Sequence, residues 1–191
     1  MNSVRQRNYT LGRRAENQRA TRLKIVQAAV DLHGTVGPAK TTISAIAARA
    51  GVQRHTVYRH FPNEPALFQA CTDHFLSSEP PPDTAKWVAI KDHRVRLENG
   101  LSHLYGYYQR HQLMIANVLR DSAALPVGAG FRALHANAAR ALTLHGSRTP
   151  NRQVIAIVYL ATDFQTWEIL DRAGLRTKEA ARVMADVIRC L

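Results

Sequence analysis

Apolar residues recur along this chain at intervals of three and four, the spacing that predicts amphipathic helices. No stretch shows the sustained alternation of a β-strand. The clearest short helix lies between Thr42, a suitable N-cap, and Gly51, a residue that can adopt the positive φ of a helix end. Its apolar positions are Ile43, Ile46, Ala47 and Ala50. The pattern therefore predicts an all-α protein with a tight glycine turn at Gly51.

A second short helix is predicted to begin near Gln53 or Arg54 and to end at Pro62. Val57 and Phe61 form its apolar side. Its outer side carries Arg54, His55, Thr56, Tyr58, Arg59 and His60. Two short helices joined by a glycine turn, the second outwardly cationic, are typical of a DNA-binding helix-turn-helix. A helical hairpin in an ordinary core, with a solvated basic face, is the alternative that these residues leave open.

This stretch resembles the helix-turn-helix of the tetracycline-repressor (TetR) family. The matching residues are Thr42, Ile46, Ala47, Ala50, Gly51, Val52, Thr56, Val57, Tyr58, His60, Phe61 and Pro62. The resemblance covers about the first third of the chain. It implies a homodimeric transcriptional regulator, most often a repressor, whose partner is a palindromic double-stranded DNA operator.

The resemblance also implies roles for individual residues. Phosphate contacts are expected from Thr42, Tyr58 and His60, and a backbone or thymine-methyl contact from Thr56. The positions that vary in the family are candidates for base readout, namely Arg54, His55 and Arg59. Ser44 is expected to reach the groove from the first motif helix. The second motif helix is therefore expected to lie in the major groove.

Two residues depart from the family pattern. Gln53 stands where serine is usual, which weakens the helix cap but offers an amide that could read adenine. Glu64 stands where a phosphate-binding lysine is common, so its carboxylate suits the helix dipole but repels DNA. A ligand-binding protein that has lost operator function, with Glu64 as the lesion, is therefore a second alternative.

Charge is concentrated near the N-terminus of the chain. Residues 1–60 hold eleven Lys and Arg against two acidic residues, a net charge of +9 out of +12 for the whole chain. This is the distribution expected of a polyanion binder. Binding to nucleic acid through charge alone, without sequence preference, is the rival hypothesis.

Other classes of protein lack support in the sequence. The chain has no recognisable catalytic motif, so an enzyme is not predicted. Cys71 and Cys190 form no metal or disulfide pattern, and neither a metal nor a cofactor is predicted. No long apolar run and no secretory signal occur, so we expect a cytoplasmic protein that does not enter membranes.

The predicted organisation has three parts. Residues 1–18 are expected to form a basic, disordered arm, residues 19–68 the helix-turn-helix domain, and residues 69–191 a helical effector-binding and dimerisation domain. A helix is predicted from Arg22 to Gly34, with His33 packed in the core where the family usually has an aromatic residue. A proline-rich linker, residues 77–83, marks the junction of the domains.

Two predictions concern the second domain. The final helix has an apolar face formed by Val183, Val187 and Leu191, which either lies on its own domain or, as we predict, pairs with a second subunit. A single helix is predicted over residues 151–173. A small apolar effector is expected to bind among Tyr105, Tyr108, Phe131, Phe164 and Trp167, with Arg120, Asp121 and Gln165 as polar handles. The alternative is that these aromatic residues form plain core.

Overall fold

A computed structural model describes residues 2–143 and 151–190, with side chains from residue 12 onward. The described residues contain no strand, and the prediction of an all-α chain is confirmed. The helices are α1 Asn2–Thr35, α2 Ile43–Ala50, α3 Arg54–His60, α4 Glu64–Ser78, α5 Thr84–Val88, α6 His93–Arg110, α7 Gln112–Asp121, α8 Ala129–Thr143, α9 Arg152–Thr162, α10 Phe164–Arg172 and α11 Thr177–Arg189. Within that part of the chain, none of these helices has the length and apolar character needed to cross a membrane.

The chain divides into two compact units. The first runs to Glu79 and also contains the segment Arg120–Val127, and the second contains Pro80–Leu119 and Gly128–Leu191. This division differs from the predicted boundary between residues 68 and 69. The reason is that α4 stays with the first unit, since its residues Leu67 and Cys71 are buried in the same core as α1–α3.

The core of the first unit is built from the inner faces of α1–α4. The residues with at most 2% exposure are Ile25, Ala29, Ile46, Val57, Phe61 and Leu67. Fully burying each of the larger aliphatic or aromatic side chains stabilises the fold by about 1.5–3 kcal/mol. The apolar stripes predicted for the two motif helices therefore face this core.

The first helix is much longer than predicted. A disordered arm was expected over residues 1–18, but α1 begins at Asn2. Thr21 lies within the helix, where its hydroxyl donates to the carbonyl oxygen of Asn17 at 2.8 Å. Arginine, glutamine and alanine favour helix. Once the packed part of α1 has formed, each further residue adds a hydrogen bond without a new nucleation cost.

The segment Arg120–Val127 completes the first unit beside the turn that precedes α2. The carboxylate of Asp121, a residue 7% exposed, accepts the backbone N–H of Ala39 at 2.8 Å. Arg120 donates to that carboxylate at 2.8 Å and to the carbonyl oxygen of Val36 at 3.4 Å. Gly37, with φ 94° and ψ 157°, leaves room for this pair. A Cβ at Gly37 would lie 2.7 Å from the Asp121 Oδ2 atom.

The second unit is organised around α6, which packs against α5, α8, α9, α10 and α11. The buried residues of α6 include Leu97, Leu101, Leu104, Tyr105 and Tyr108. They fall at intervals of three and four, so the helix is apolar along the face that its neighbours cover.

Two helices replace the single helix predicted over residues 151–173. The break falls at Asp163, which has extended backbone at φ −72° and ψ 141°. Its carboxylate caps α10 by accepting the N–H of Gln165 at 2.8 Å. That N–H would otherwise bond the carbonyl of Ala161 in a continuous helix.

The break frees the last carbonyl groups of α9, and tyrosines of α6 bond them. The hydroxyl of Tyr105 donates to the oxygen of Ala161 at 2.6 Å, and that of Tyr108 donates to the oxygen of Thr162 at 2.8 Å. Apolar periodicity continues across the break, and these partners lie more than fifty residues away. The local pattern therefore could not reveal it.

Candidate nucleic-acid interface

The turn between α2 and α3 has the geometry that the sequence predicted. Thr42 caps α2, its hydroxyl oxygen accepting the N–H of Ala45 at 3.1 Å. Gly51 follows with φ 68° and ψ 36°, the left-handed conformation that glycine adopts at least cost. The N–H of Val52 then donates to the oxygen of Ala47 at 3.0 Å, which closes the turn. The turn between the two helices is therefore stabilised by hydrogen bonds between residues that are close together in the sequence.

The inner and outer sides of α3 are sharply separated. Val57 is fully buried and Phe61, which follows the helix, is 2% exposed. Arg54, His55 and Arg59 are exposed, and Tyr58 is 49% exposed although it is aromatic. Thr56 and His60 are partly buried. The structure thus brings the predicted readout residues together on one short helix anchored from behind.

The start of α3 lacks a side-chain cap. Gln53 occupies the N-cap position with φ −82° and ψ 151°, but its side chain makes no capping hydrogen bond. The residue is exposed, and its side chain does not stabilise the helix end. This is the arrangement expected when glutamine replaces serine there.

Thr42 and Ser44 lie at the start of α2 and are exposed. The Thr42 hydroxyl accepts a bond from the backbone, which leaves its own O–H as a donor. A hydroxyl donor at a helix N-terminus suits an anion, because the first N–H groups and the helix dipole also favour negative charge.

Arg49, also on α2, is committed elsewhere. Its guanidinium bonds the carboxylate of Asp31 on α1, with Nη2 to Oδ2 at 2.8 Å. Both side chains are about half exposed, so the pair contributes little to stability. Its cationic charge is nevertheless neutralised locally by Asp31.

Glu64 begins α4, as predicted, and is exposed. Asn63 caps that helix by accepting the N–H of Ala66 at 2.9 Å. The carboxylate in the first turn is favourable for the helix, because it interacts with the positive end of the dipole. The helix start is therefore stable without the lysine that the family pattern would supply.

Sequence reasoning did not single out Arg22, although the structure places it against α3. Its guanidinium carbon lies 4.1 Å from the centroid of the Phe61 ring. Its Nη1 group donates to the carbonyl oxygen of His60 at 3.4 Å. The signal available was the inner stripe of α1, which continues from Val26 and Ala29 to Arg22 and Arg19 at helical spacing.

His60 lies in a cationic environment. Burial lowers the pKa of its imidazole, and the positive charges of Arg59 and Arg22 lower that pKa further. Its Nε2 atom is buried and has no hydrogen-bond partner among the described residues. The imidazole is thus held beside two arginines with one ring nitrogen unused.

The aromatic residues proposed for an effector site pack in the second unit. Phe164 and Trp167 are 5% and 1% exposed, and their ring centroids lie 5.3 Å apart. Tyr108 stands edge-on to Phe164 at 5.5 Å, while Phe131 is only partly buried. Burial raises the pKa of Tyr105 and Tyr108 well above the usual range, so their hydroxyls stay protonated.

Two of the three polar residues predicted for that site do not belong to the second unit. Arg120 and Asp121 belong to the first unit, where they bond Val36 and Ala39. Their interaction is with a backbone turn far away in sequence, so the spacing along α7 gave no sign of it. Gln165 stays exposed on α10.

The predicted dimer face lies on α11. Val183 is 41% exposed and Val187 is 45% exposed. Leu191 lies outside the described residues. The opposite side of α11 is buried through Ala181, Met184 and Ile188, so the two valines stand apart from its core-facing stripe.

Comparison with known proteins gives matches of two kinds. Residues 25–71 match the family model described as "Bacterial regulatory proteins, tetR family". An HTH-type transcriptional repressor from Mycobacterium tuberculosis and an HTH-type transcriptional regulator from Mycobacterium bovis are each 44% identical to this chain over 78 residues. That match covers 37% of this chain, and the chain spans 42% of the length of these curated relatives.

Solved structures resemble the whole layout. A tetR-family transcriptional regulator from Streptomyces coelicolor superposes with a TM-score of 0.61 at 17% identity, over 88% of this chain and 81% of that one. A TetR transcription regulator from Haloarcula marismortui gives 0.59 at 19% identity, over 88% and 95%. At such low identity these likenesses show the fold alone. They confirm an N-terminal helix-turn-helix domain followed by a helical domain.

Proposed function

We propose that this chain, which belongs to the TetR family of bacterial regulatory proteins, represses transcription by binding a palindromic DNA operator as a homodimer. The observation that carries the proposal is the outer side of α3. Arg54, His55, Tyr58 and Arg59 are exposed there, while Val57 and Phe61 fix the helix from behind. A short, rigid, cationic helix of this kind fits the major groove.

Base readout is assigned to exposed side chains of α3 and to Gln53 at its N-cap. Arg54 and Arg59 can each donate two hydrogen bonds to guanine, and His55 lies between them along the helix. The amide of Gln53 makes no capping bond, so it is available to bond the edge of an adenine. Ser44 can reach the groove from α2.

Phosphate contacts are assigned to residues that flank this readout set. The Thr42 hydroxyl retains a donor, and Tyr58 has an exposed phenol. His60 has a ring nitrogen without a partner in the described part of the chain. Thr56 is partly buried, which suits a close backbone or thymine-methyl contact. Such contacts set register and affinity but carry no sequence information.

Dimerisation is assigned to α11, where Val183 and Val187 are exposed. A two-fold axis would place two reading helices one turn of DNA apart, about 34–36 Å or a multiple of that distance. The expected operator is therefore palindromic. A valine-to-glutamate change at Val187 should give monomers and weaken operator binding, which sedimentation at micromolar concentration would detect.

Effector control is assigned to the second unit. Its buried aromatic residues offer an apolar wall, and the carbonyl groups freed at Asp163 offer acceptors now occupied by tyrosine hydroxyls. A small, mostly apolar molecule with a donor group could take the place of those hydroxyls. If it binds the DNA-free form better, DNA must weaken its binding by the same factor.

The experiment that tests the function is selection of duplexes from a random-sequence library by the purified chain. A palindrome should be enriched, and an unrelated duplex of equal length should bind far more weakly at 150 mM salt. Equal binding of all sequences, falling steeply with salt, would mean charge-only binding instead. No binding by the wild type, restored by Glu64→Lys, would identify a protein that has lost operator function.

A further inference from the structure

A basic cleft opens in the first unit between α1 and the end of α3. Its lining residues are Ala15, Gln18, Arg19, Arg22, Arg59 and His60. None of them is acidic, and three carry a permanent positive charge. The cleft therefore favours an anionic ligand over any other class.

The α1 side of the cleft continues the helix's own core stripe. Val26 and Ala29 face the core of the unit, and Arg22, Arg19 and Ala15 extend the same stripe toward the N-terminus at intervals of three and four. Part of this stripe is thus covered by protein, and its cationic continuation is exposed. A helix face that changes from apolar to basic in this way suits a polyanion as its cover.

The guanidinium of Arg22 is held in position by contacts within the protein. Its guanidinium lies over the ring of Phe61, which is itself 2% exposed, and bonds the oxygen of His60 at the end of α3. A cation over an aromatic ring is stabilised by the ring's negative face. The charge is therefore pre-organised at the cleft, which reduces the entropy lost when a ligand binds.

His60 lines the cleft on the α3 side. Its Nε2 is buried without a hydrogen-bond partner in the described part of the chain. Arg59 and Arg22 lower the pKa of the imidazole, after the larger effect of burial. An anion in the cleft would offset the repulsion among Arg19, Arg22 and Arg59.

We propose that this cleft binds a backbone phosphate of double-stranded DNA beside the stretch that α3 reads. The inference rests on the proposed operator binding and adds Arg19 and Arg22 of α1 to the contacts. Arginine suits the role, because its planar donors match two phosphate oxygens. The contact would fix the register of α3 along the groove from the α1 side.

The test compares Arg19→Ala with Lys24→Ala, a matched control. Both residues are exposed cations on α1, but Lys24 lies on the opposite face of the helix and does not line the cleft. Affinity is measured between 50 and 200 mM salt for two probes: a duplex selected by the wild type from a random library, and an unrelated duplex of the same length. Thermal melting of each variant checks the fold.

One lost phosphate contact lowers the salt slope by about 0.9, so the advantage of the wild type over Arg19→Ala should shrink about 3.5-fold from 50 to 200 mM salt. The loss should be the same factor for both duplexes. Lys24→Ala should keep the slope of the wild type. If the wild type binds specifically but the slope of Arg19→Ala is unchanged, the proposed phosphate contact in the cleft is wrong and the operator function stands. Failure of the wild type to bind any duplex would remove both.

A second measurement separates DNA from free anions. The imidazole proton signals of His60, identified by comparison with His60→Gln, are followed by NMR during addition of the selected duplex, or of inorganic phosphate at constant ionic strength. The duplex should shift them, and Arg19→Ala should reduce that shift. Saturation by millimolar inorganic phosphate with no response to the duplex would make the cleft a free-anion site, contrary to the proposal.

Discussion

The starts of α2 and α4 in the first unit and the end of α9 in the second differ in how far away in sequence their hydrogen-bond partners lie. In the first unit, Thr42 caps α2 through Ala45, and Asn63 caps α4 through Ala66. In the second, the last carbonyls of α9 bond tyrosines of α6 that come more than fifty residues earlier. The helix-turn-helix is therefore fixed by local caps, while the break between α9 and α10 is fixed by distant packing.

This difference has a functional consequence. Because the backbone of α2 and α3 is held by caps and by buried residues such as Val57, the outer residues of α3 contribute little to holding it. Arg54, His55 and Arg59 can thus be exchanged without loss of the fold, as the proposed base readout requires. In the second unit, residues that pack in the core can also hold a helix end. Tyr105 and Tyr108 are buried, and their hydroxyls also bond the last carbonyl groups of α9.

The largest expected effect separates the two sides of α3. Phe61→Ala should lower the free energy of unfolding by about 3–5 kcal/mol, because it leaves a cavity in the first unit. It also removes the ring on which Arg22 lies. Tyr58→Ala, an equal truncation at a half-exposed position, should cost well under half as much. Urea unfolding measures both, and equal losses would mean that the two sides of the helix are not separated.

The next effect concerns the contact of Arg120 and Asp121 with the turn that precedes α2. Gly37→Ala should destabilise by roughly 2–4 kcal/mol, because the backbone there suits only glycine and the new Cβ would crowd Arg120 and Asp121. Gly51→Ala is the matched control. It also has positive φ but has open space at the Cβ position, so only the backbone strain of about 1–2 kcal/mol remains. Similar unfolding energies for the two variants would show that the Arg120–Asp121 segment adds no constraint.

The helix break in the second unit depends on two hydroxyl groups. Tyr105→Phe or Tyr108→Phe should each cost about 1–3 kcal/mol, because each leaves a buried carbonyl of α9 without its donor. Tyr159→Phe, at a residue 41% exposed, should be nearly neutral. Unfolding of the three variants by urea decides this, and neutral behaviour of all three would mean that α9 ends without help from α6.

A smaller effect depends on pH. Burial lowers the pKa of His33 to about 4, although the charge of Asp121 partly offsets this. The unfolded chain therefore takes up a proton at higher pH than the folded one, and stability present above pH 6.5 is lost as pH falls toward 4. At pH 5 this lowers the free energy of unfolding by about 2 kcal/mol, and His33→Phe should abolish that decrease. Unfolding curves at pH 5 and pH 8 test it, and parallel pH profiles for the wild type and variant would contradict it.

The sequence was sufficient wherever the signal was local. Thr42 and Gly51 marked the ends of α2 at the positions where the structure has them, and Pro62 marked the end of α3 to within two residues. Periodicity identified Val57 and Phe61 as the inner side of α3. These signals work because a cap or a stop acts within one helical turn of the residue that provides it.

The features that the sequence did not predict depend mostly on contacts that helical periodicity does not reveal. The break at Asp163 needs the tyrosines of α6, and the pairing of Asp121 with Ala39 joins residues 82 positions apart. The extension of α1 to Asn2 follows from helix propagation, which competes with the charge repulsion that favoured a disordered arm. The position of Arg22 over Phe61 needed the packing angle of two helices.

The most direct test of operator readout by α3 is a binding matrix, the affinity for every single-base change in the selected operator, measured for wild type, Arg54→Ala and Tyr58→Phe. Arg54→Ala should lose about 1–3 kcal/mol at one base pair of each half-site and relax preference there. Tyr58→Phe should weaken all sequences by one common factor, since it removes the proposed phosphate contact. A matrix for Arg54→Ala with the same shape as that of the wild type would contradict base readout by this helix.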